Sequence, residues 1–169
     1  MWGEKLKAYA IHLRLMGDTL LVQSCSNRKR EASSQLPAME RYDGYFFRIV
    51  KKAIDEGALR DDIDIVILSA EFGLLNLDDQ IPMYDRQMTS KRAGELRDDA
   101  VSSLVSRVQR GDYDTLVVNM AKQYEKAIEG IDSHVEIEIN RIRGGGIGAK
   151  GRKLKHLIRS DYAIQGGTA

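Results

Sequence analysis

Hydrophobic residues fall along the chain in two alternating rhythms. Nearly continuous aliphatic runs occupy 20–24, 63–69 and 115–119, the pattern of strands covered on both faces in a parallel sheet. A fourth run, 135–139, alternates instead. Val135, Ile137 and Ile139 share one side and Glu136 and Glu138 the other, which predicts an edge strand with one wet face. Between the runs the apolar spacing changes to threes and fours. Trp2, Leu6, Tyr9, Leu13 and Met16 form one stripe of an N-terminal helix over 1–17, stopped by Gly17-Asp18. Phe46, Phe47, Val50, Ala53 and Ile54 repeat helically after Asp43, a predicted N-cap, until Gly57. Ala93, Leu96, Ala100, Leu104 and Val108 mark a long helix from Ser90 to Gly111, and Tyr124, Ala127, Ile128 and Ile131 a shorter one.

Strands alternating with helices predict an α/β fold. Right-handed crossovers place helices on both faces of a mostly parallel sheet of at least four strands. No internal repeat, low-complexity tract or linker interrupts the order, so residues 1–169 read as a single domain. A length of 169 residues is long enough to bury roughly two-thirds of the unfolded surface.

Composition narrows the class. With 43% hydrophobic and 30% charged residues the chain reads as a soluble globular protein and not a disordered one. Its apolar runs are far shorter than the ~20 residues that span a bilayer, so no membrane partner is expected. Glu4, Lys5, Lys7 and Arg14 break up any signal-peptide core. One cysteine permits no intrachain disulfide, and a cytoplasmic location is the default expectation. No Cys/His spacing resembles a metal site, and neither metal nor cofactor is expected.

Net charge is +1 but unevenly placed. Residues 141–160 hold seven Lys or Arg and no acid, whereas the first 140 carry 19 basic and 24 acidic residues. This basic, glycine-rich segment reads either as a solvated helix face or as a phosphate or nucleic-acid contact. Within it, Gly146 to Gly151 formally match G-x-G-x-x-G, but no βαβ unit follows, so the dinucleotide fingerprint fails its context. Glycines leading into a basic helix still favour an anion, which makes Gly146, Gly148, Lys150, Arg152, Lys153 and Lys155 the phosphate-binding candidates.

Ligands in open α/β sheets sit outside the carboxyl ends of the strands. There the sequence places Ser24, Cys25, Ser26 and Lys29 after the first strand, Ser69 and Gly73 after the second, and Asn119 after the third, as ligand-binding candidates. Glu71, Tyr84 and Asp85 are the catalytic candidates. A carboxylate walled by Phe72 and Tyr84 has the raised pKa that proton transfer needs, and the alternative makes Asp85 a turn cap and Glu71 solvent-facing. Cys25 has cations nearby but no histidine placed as its base, so it reads either as a nucleophile or as a small residue in a tight turn.

The stretch ILSAEFGLLNLDDQIPMYD, followed by RQM, resembles the strand-and-loop signature of the YaaA family, proteins linked to peroxide stress, and that of a related family of uncharacterised bacterial and archaeal domains. VVNMAKQYEKAI is similar to the second YaaA signature, LLVQSCSNRK sits where that family has its first strand and loop, and GGGIGAKGRKLKHL is closer to the uncharacterised domains. The likeness runs over residues 19–158. It implies an α/β fold, a stress response and a nucleic-acid connection. Two functions are therefore expected side by side. One is a nucleic-acid- or nucleotide-associated protein, its partner a nucleic acid or a phosphorylated small molecule, with a pocket at the strand ends and a basic phosphate-contacting segment. The other is an enzyme acting on a nucleobase or N-glycosidic bond through strand-end carboxylates.

Overall fold

Three of the aliphatic runs become adjacent strands in the computed structural model, which describes residues 18–161. The helix expected over 1–17 lies outside the described residues. In chain order the strands are β1 (Thr19–Ser24), β2 (Leu36–Pro37), β3 (Ile63–Ser69), β4 (Gly73–Asn76), β5 (Gln80–Ile81), β6 (Thr115–Asn119) and β7 (Glu138–Arg141). The main sheet has the order β4-β3-β1-β6-β7, and β2 pairs antiparallel with β5 in a small ribbon. β1 lies parallel to both β3 and β6, with Leu21 opposite Ile65 on one side and Val117 on the other. Every residue of β1 and β3 is buried, which is why their sequences carry no alternation.

The helices are α1 (Ala38–Arg41), α2 (Tyr45–Asp55), α3 (Ser90–Arg110), α4 (Lys122–Glu125) and α5 (Gly146–Ile158). They cover both faces of the sheet. α2 packs on α5, and α3 packs on β4, α4 and the 3-10 turn Lys126–Ile128. α2 buries Phe47, Val50 and Ala53, one stripe at helical spacing, and full burial of a side chain such as Phe47 contributes about 1.5–3 kcal/mol. Thr89 caps α3, its Oγ1 accepting the Arg92 N–H at 3.1 Å, and the helix ends before Gly111 as its pattern predicted.

Four local expectations are corrected. The N-cap of α2 is Gly44, because the Asp43 carboxylate is taken by Arg48 at 3.0 Å and lies 3.7 Å from Lys51. β3 does not simply run out into a pocket. It turns back at Gly73 into the antiparallel β4, with Ser69 paired to Gly73 and Leu68 to Leu74. The edge strand β7 begins only at Glu138, since a 3-10 turn (Ile131–Ser133) and the bond from the His134 N–H to the Ile131 carbonyl keep the preceding chain off β6. The shorter helix is divided into α4 and two 3-10 turns, Gly130 at φ +92° separating the turns.

Gly57 leaves α2 at φ +65°, and a methyl group added to its Cα would meet no atom within 4 Å. Gly57→Ala therefore meets only backbone strain and is expected to lose about 1–2 kcal/mol in urea denaturation. An unchanged midpoint would show that the helix end relaxes freely.

Candidate functional site

β1 sits mid-sheet, and the chain leaves it for β3 on one side before returning to β6 on the other. The crossovers therefore diverge between β1 and β6, the switch point at which open α/β sheets leave a crevice. A cavity of about 380 Å³ lies beyond these two strand ends, within the roughly 300–1,000 Å³ of small-molecule sites. Three loops build it. The turn after β1 contributes Cys25, Ser26, Asn27 and Lys29, and the segment after β6 contributes Ala121, Gln123 and Tyr124. Arg86, Gln87 and Met88 come from the segment between β5 and α3. The lining holds two cations, several amides and hydroxyls, and no acid.

Local bonds explain why the turns hold this shape. The Ser26 hydroxyl donates to the Arg28 carbonyl at 2.6 Å and accepts the Gly44 N–H at 3.1 Å, tying the β1 turn to the start of α2. The Ser24 Oγ accepts the Ala121 N–H at 3.4 Å, joining the β1 and β6 turns. Arg41, fully buried, donates through its guanidinium to the carbonyls of Arg30 and Ser34, both at 2.7 Å, and fastens the loop beyond Lys29.

Two hydrogen-bonded groups of side chains adjoin the wall, one of them including the wall residues Cys25 and Tyr124. The Cys25 sulfur and the Tyr124 hydroxyl share a hydrogen bond of 3.1 Å. Tyr42 and Tyr84 share one of 2.6 Å, and the Ser69 and Tyr84 hydroxyls one of 3.1 Å. The Ser69 Oγ also accepts the N–H groups of Glu71 and Phe72, each at 3.1 Å, which fixes the β3–β4 turn. Burial pushes the phenol pKa of Tyr42, Tyr84 and Tyr124 above the ordinary value, and the charge of the neighbouring Cys25 sulfur adds to each shift. The Lys29 ammonium lies 4.5 Å from the centre of the Tyr84 ring. Burial lowers its pKa, against the opposing pull of Cys25 and Asp85.

The sequence candidates divide. Cys25, Ser26 and Lys29 line the cavity, and Ser24 braces its floor. Ser69 and Tyr84 bond to each other outside the wall, and Gly73, at φ +73°, serves the hairpin. Asn119 is fully buried at the end of β6. Its amide donates to Gln23 at 2.7 Å and its carbonyl oxygen has no protein partner. Glu71 is half-buried and pairs with Arg86 at 3.4 Å, and Asp85 is exposed. Neither carboxylate is among the residues of the cavity wall. Arg86, Gln87, Met88 and Ala121 of the wall, and Tyr42 beside it, were not among the sequence candidates, and Tyr124 entered only through the stripe and the second signature. Tyr42 looks like an ordinary core position, and Arg86 is a loop cation.

No residue of the basic segment is in this wall, and most of its charge is engaged. Lys150 donates to the Met120 carbonyl at 3.1 Å and Lys153 to the Arg143 carbonyl at 2.5 Å. Arg141 pairs with Asp132 at 2.9 Å, Arg143 with Glu125 at 3.4 Å, and Arg159 with Glu56 and Asp161. Arg152 is exposed and Lys155 half-buried. Gly144, Gly145 and Gly146 all have positive φ, giving the sharp entry into α5, and Gly148 lies in its first turn. Among the described residues no group of three or more His, Cys, Asp or Glu is placed to hold a metal, and no helix is long and apolar enough to cross a membrane.

A family model described as a family of unknown function (DUF6884) matches residues 20–156, which takes in every strand after the first residue of β1 and most of α5. Among solved structures, AF0587, titled a protein of unknown function, is 16% identical with a TM-score of 0.51, over 90% of this chain and 49% of that one. The chain thus spans about half the length of AF0587, and at this identity the likeness is one of fold. No curated protein matches the chain. The resemblance to the YaaA family has no counterpart in these matches.

Proposed function

The chain belongs to the DUF6884 family of unknown function, and for this member we propose that it binds a phosphorylated small molecule of nucleotide size in the cavity between β1 and β6. One observation carries the reading: a cavity at the switch point walled by Lys29 and Arg86 with no acid in its lining. A partly dehydrated ammonium and a guanidinium facing one space form a site for a phosphate, the guanidinium by bidentate bonds and the ammonium as a point charge. The side chains of Asn27, Gln87 and Gln123 supply donors and acceptors of the kind a nucleobase edge needs. Small-molecule binding has better support than contact with a polynucleotide, because Lys29 and Arg86 line one cavity, Arg86 also pairing with Glu71 and Glu95 and Lys29 donating to the Asn27 carbonyl, whereas no cation of 141–160 is in its wall. It also has better support than carboxylate catalysis on a glycosidic bond, for which Glu71 or Asp85 would have to reach the ligand.

Isothermal titration with inorganic phosphate, adenosine monophosphate and a single-stranded oligonucleotide tests this. Binding of the mononucleotide is expected to weaken with salt. Lys29→Ala and Arg86→Ala should each weaken it about 10- to 100-fold, the range of one charged hydrogen bond. Arg152→Ala should leave it unchanged. Absence of mononucleotide binding, with oligonucleotide binding that Arg152→Ala weakens, would replace this reading with the polynucleotide one.

A further inference from the structure

We infer that Tyr84 is the positioning residue of the anion site, holding Lys29 with its ring and the Arg86 segment with its hydroxyl. The inference rests on the proposed binding site. Residues 82–89 have no regular secondary structure, yet they deliver Arg86, Gln87 and Met88 to the cavity wall. Tyr84 is the aromatic anchor of that segment on the sheet, beside buried Met88 and the pair of Arg86 with Glu71. Its hydroxyl is shared with Tyr42 at 2.6 Å and Ser69 at 3.1 Å. Ser69 already accepts two backbone N–H groups, so its own proton is left for Tyr84. The ring is fixed edge-on, at 5.2 Å from Phe72 and 6.3 Å from Tyr42. With the ring immobile, its face becomes a fixed seat for the Lys29 ammonium 4.5 Å away. Lys29 and Arg86 approach the cavity from loops separated by most of the β1–α3 sequence, and Tyr84 is linked to both.

The ring and the hydroxyl can be separated by two substitutions. Tyr84→Phe keeps the ring and removes the hydroxyl, and Tyr84→Leu removes both. Isotope-labelled methyl groups placed on the lysine amines report the ring directly, since a methyl over an aromatic face has an upfield-shifted resonance. The Lys29 signal is expected upfield in the unmodified sequence and in Tyr84→Phe, and at the ordinary lysine position in Tyr84→Leu. For adenosine monophosphate, Tyr84→Phe should weaken binding about fivefold, since the two bonds of its hydroxyl position the Arg86 segment without touching the ligand. Tyr84→Leu should weaken it further, and its additional cost should shrink in a Lys29→Ala background, because contacting residues are non-additive. A purely structural tyrosine would give additive losses.

The resonance needs no ligand, so the two readings fail separately. A Lys29 signal at the ordinary position in the unmodified protein overturns the role of Tyr84 whatever the nucleotide does. An upfield Lys29 signal with no binding of phosphate or adenosine monophosphate retains the tyrosine–lysine seat and overturns the anion site. Additive losses with an upfield signal overturn the positioning role.

Discussion

Arg41→Leu is expected to destabilise the protein by about 3 kcal/mol, since each hydrogen bond from a charged donor is worth about 1.5–3 kcal/mol and two short ones are lost. Arg41 is fully buried at the end of α1, and its guanidinium gives bonds of 2.7 Å to the carbonyls of Arg30 and Ser34. Longer contacts of 3.4 Å reach the carbonyls of Ala32 and Ile81. No acid is among its hydrogen-bond partners: the cation is held by carbonyl dipoles and a 3.8 Å contact to the Met83 sulfur, with the Glu40 charge nearby, and its Nε has no partner. Leucine fills part of the volume but leaves those carbonyls to find water. The loop carrying them is exposed, and that relief keeps the expected loss below the sum for four bonds. Arg41→Lys should recover less than half, because one ammonium cannot reach both short acceptors. Urea denaturation measures the effect. A loss below about 1 kcal/mol for Arg41→Leu would mean that the loop after Lys29 does not depend on this clasp.

The second large effect is a steep alkaline destabilisation. Tyr42, Tyr84 and Tyr124 have phenol pKa values raised by burial, and Tyr113 is pushed up to about 12, first by burial and then by its hydrogen bond to the Asp64 carboxylate. In the unfolded chain all four ionise near pH 10. The folded protein keeps protons that the unfolded chain gives up, so their contribution is full below about pH 10 and is lost progressively as pH rises through 12 and beyond. Tm should fall sharply over that interval. Phenolate absorbance should rise in two stages, the second coinciding with unfolding. A flat Tm between about pH 9 and 11.5, or a single titration step near pH 10 with the fold intact, would refute it. Tyr113→Phe should leave the start of the decline at about pH 10 but make it shallower, one fewer phenol being held protonated, while lowering stability at neutral pH, since the Asp64 carboxylate loses its phenol donor.

Much of the fold was written in local periodicity. β1, β3 and β6 were readable because a strand buried on both faces has to be aliphatic throughout, and α3 because twenty-one residues repeat one apolar stripe between a threonine cap and a glycine. β4 was not readable. Four residues, Gly-Leu-Leu-Asn, are too few to show a period, and what makes them a strand is the exposed edge of β3 beside them. Asp43 looked like a cap because cap chemistry is local, but Arg48 and Lys51 of α2 and Arg28 of the β1 turn compete for its carboxylate.

The site divides along the same line. By itself the sequence determined that polar and basic residues follow the aliphatic runs, and the strand-end rule then placed Cys25, Ser26 and Lys29 where a crevice opens. Tertiary structure alone decided which partners complete it. The Cys25–Tyr124 bond spans 99 positions and the Tyr42–Tyr84 bond 42, separations at which no periodicity carries information. It also decided where the basic charge is spent. Lys150 and Lys153 look free in a run without acids, yet carbonyls of Met120 and Arg143 take them. Hydrophobic pattern is a property of neighbours in the chain, whereas a hydrogen bond or a cation's partner depends on which segments folding brings within three ångströms.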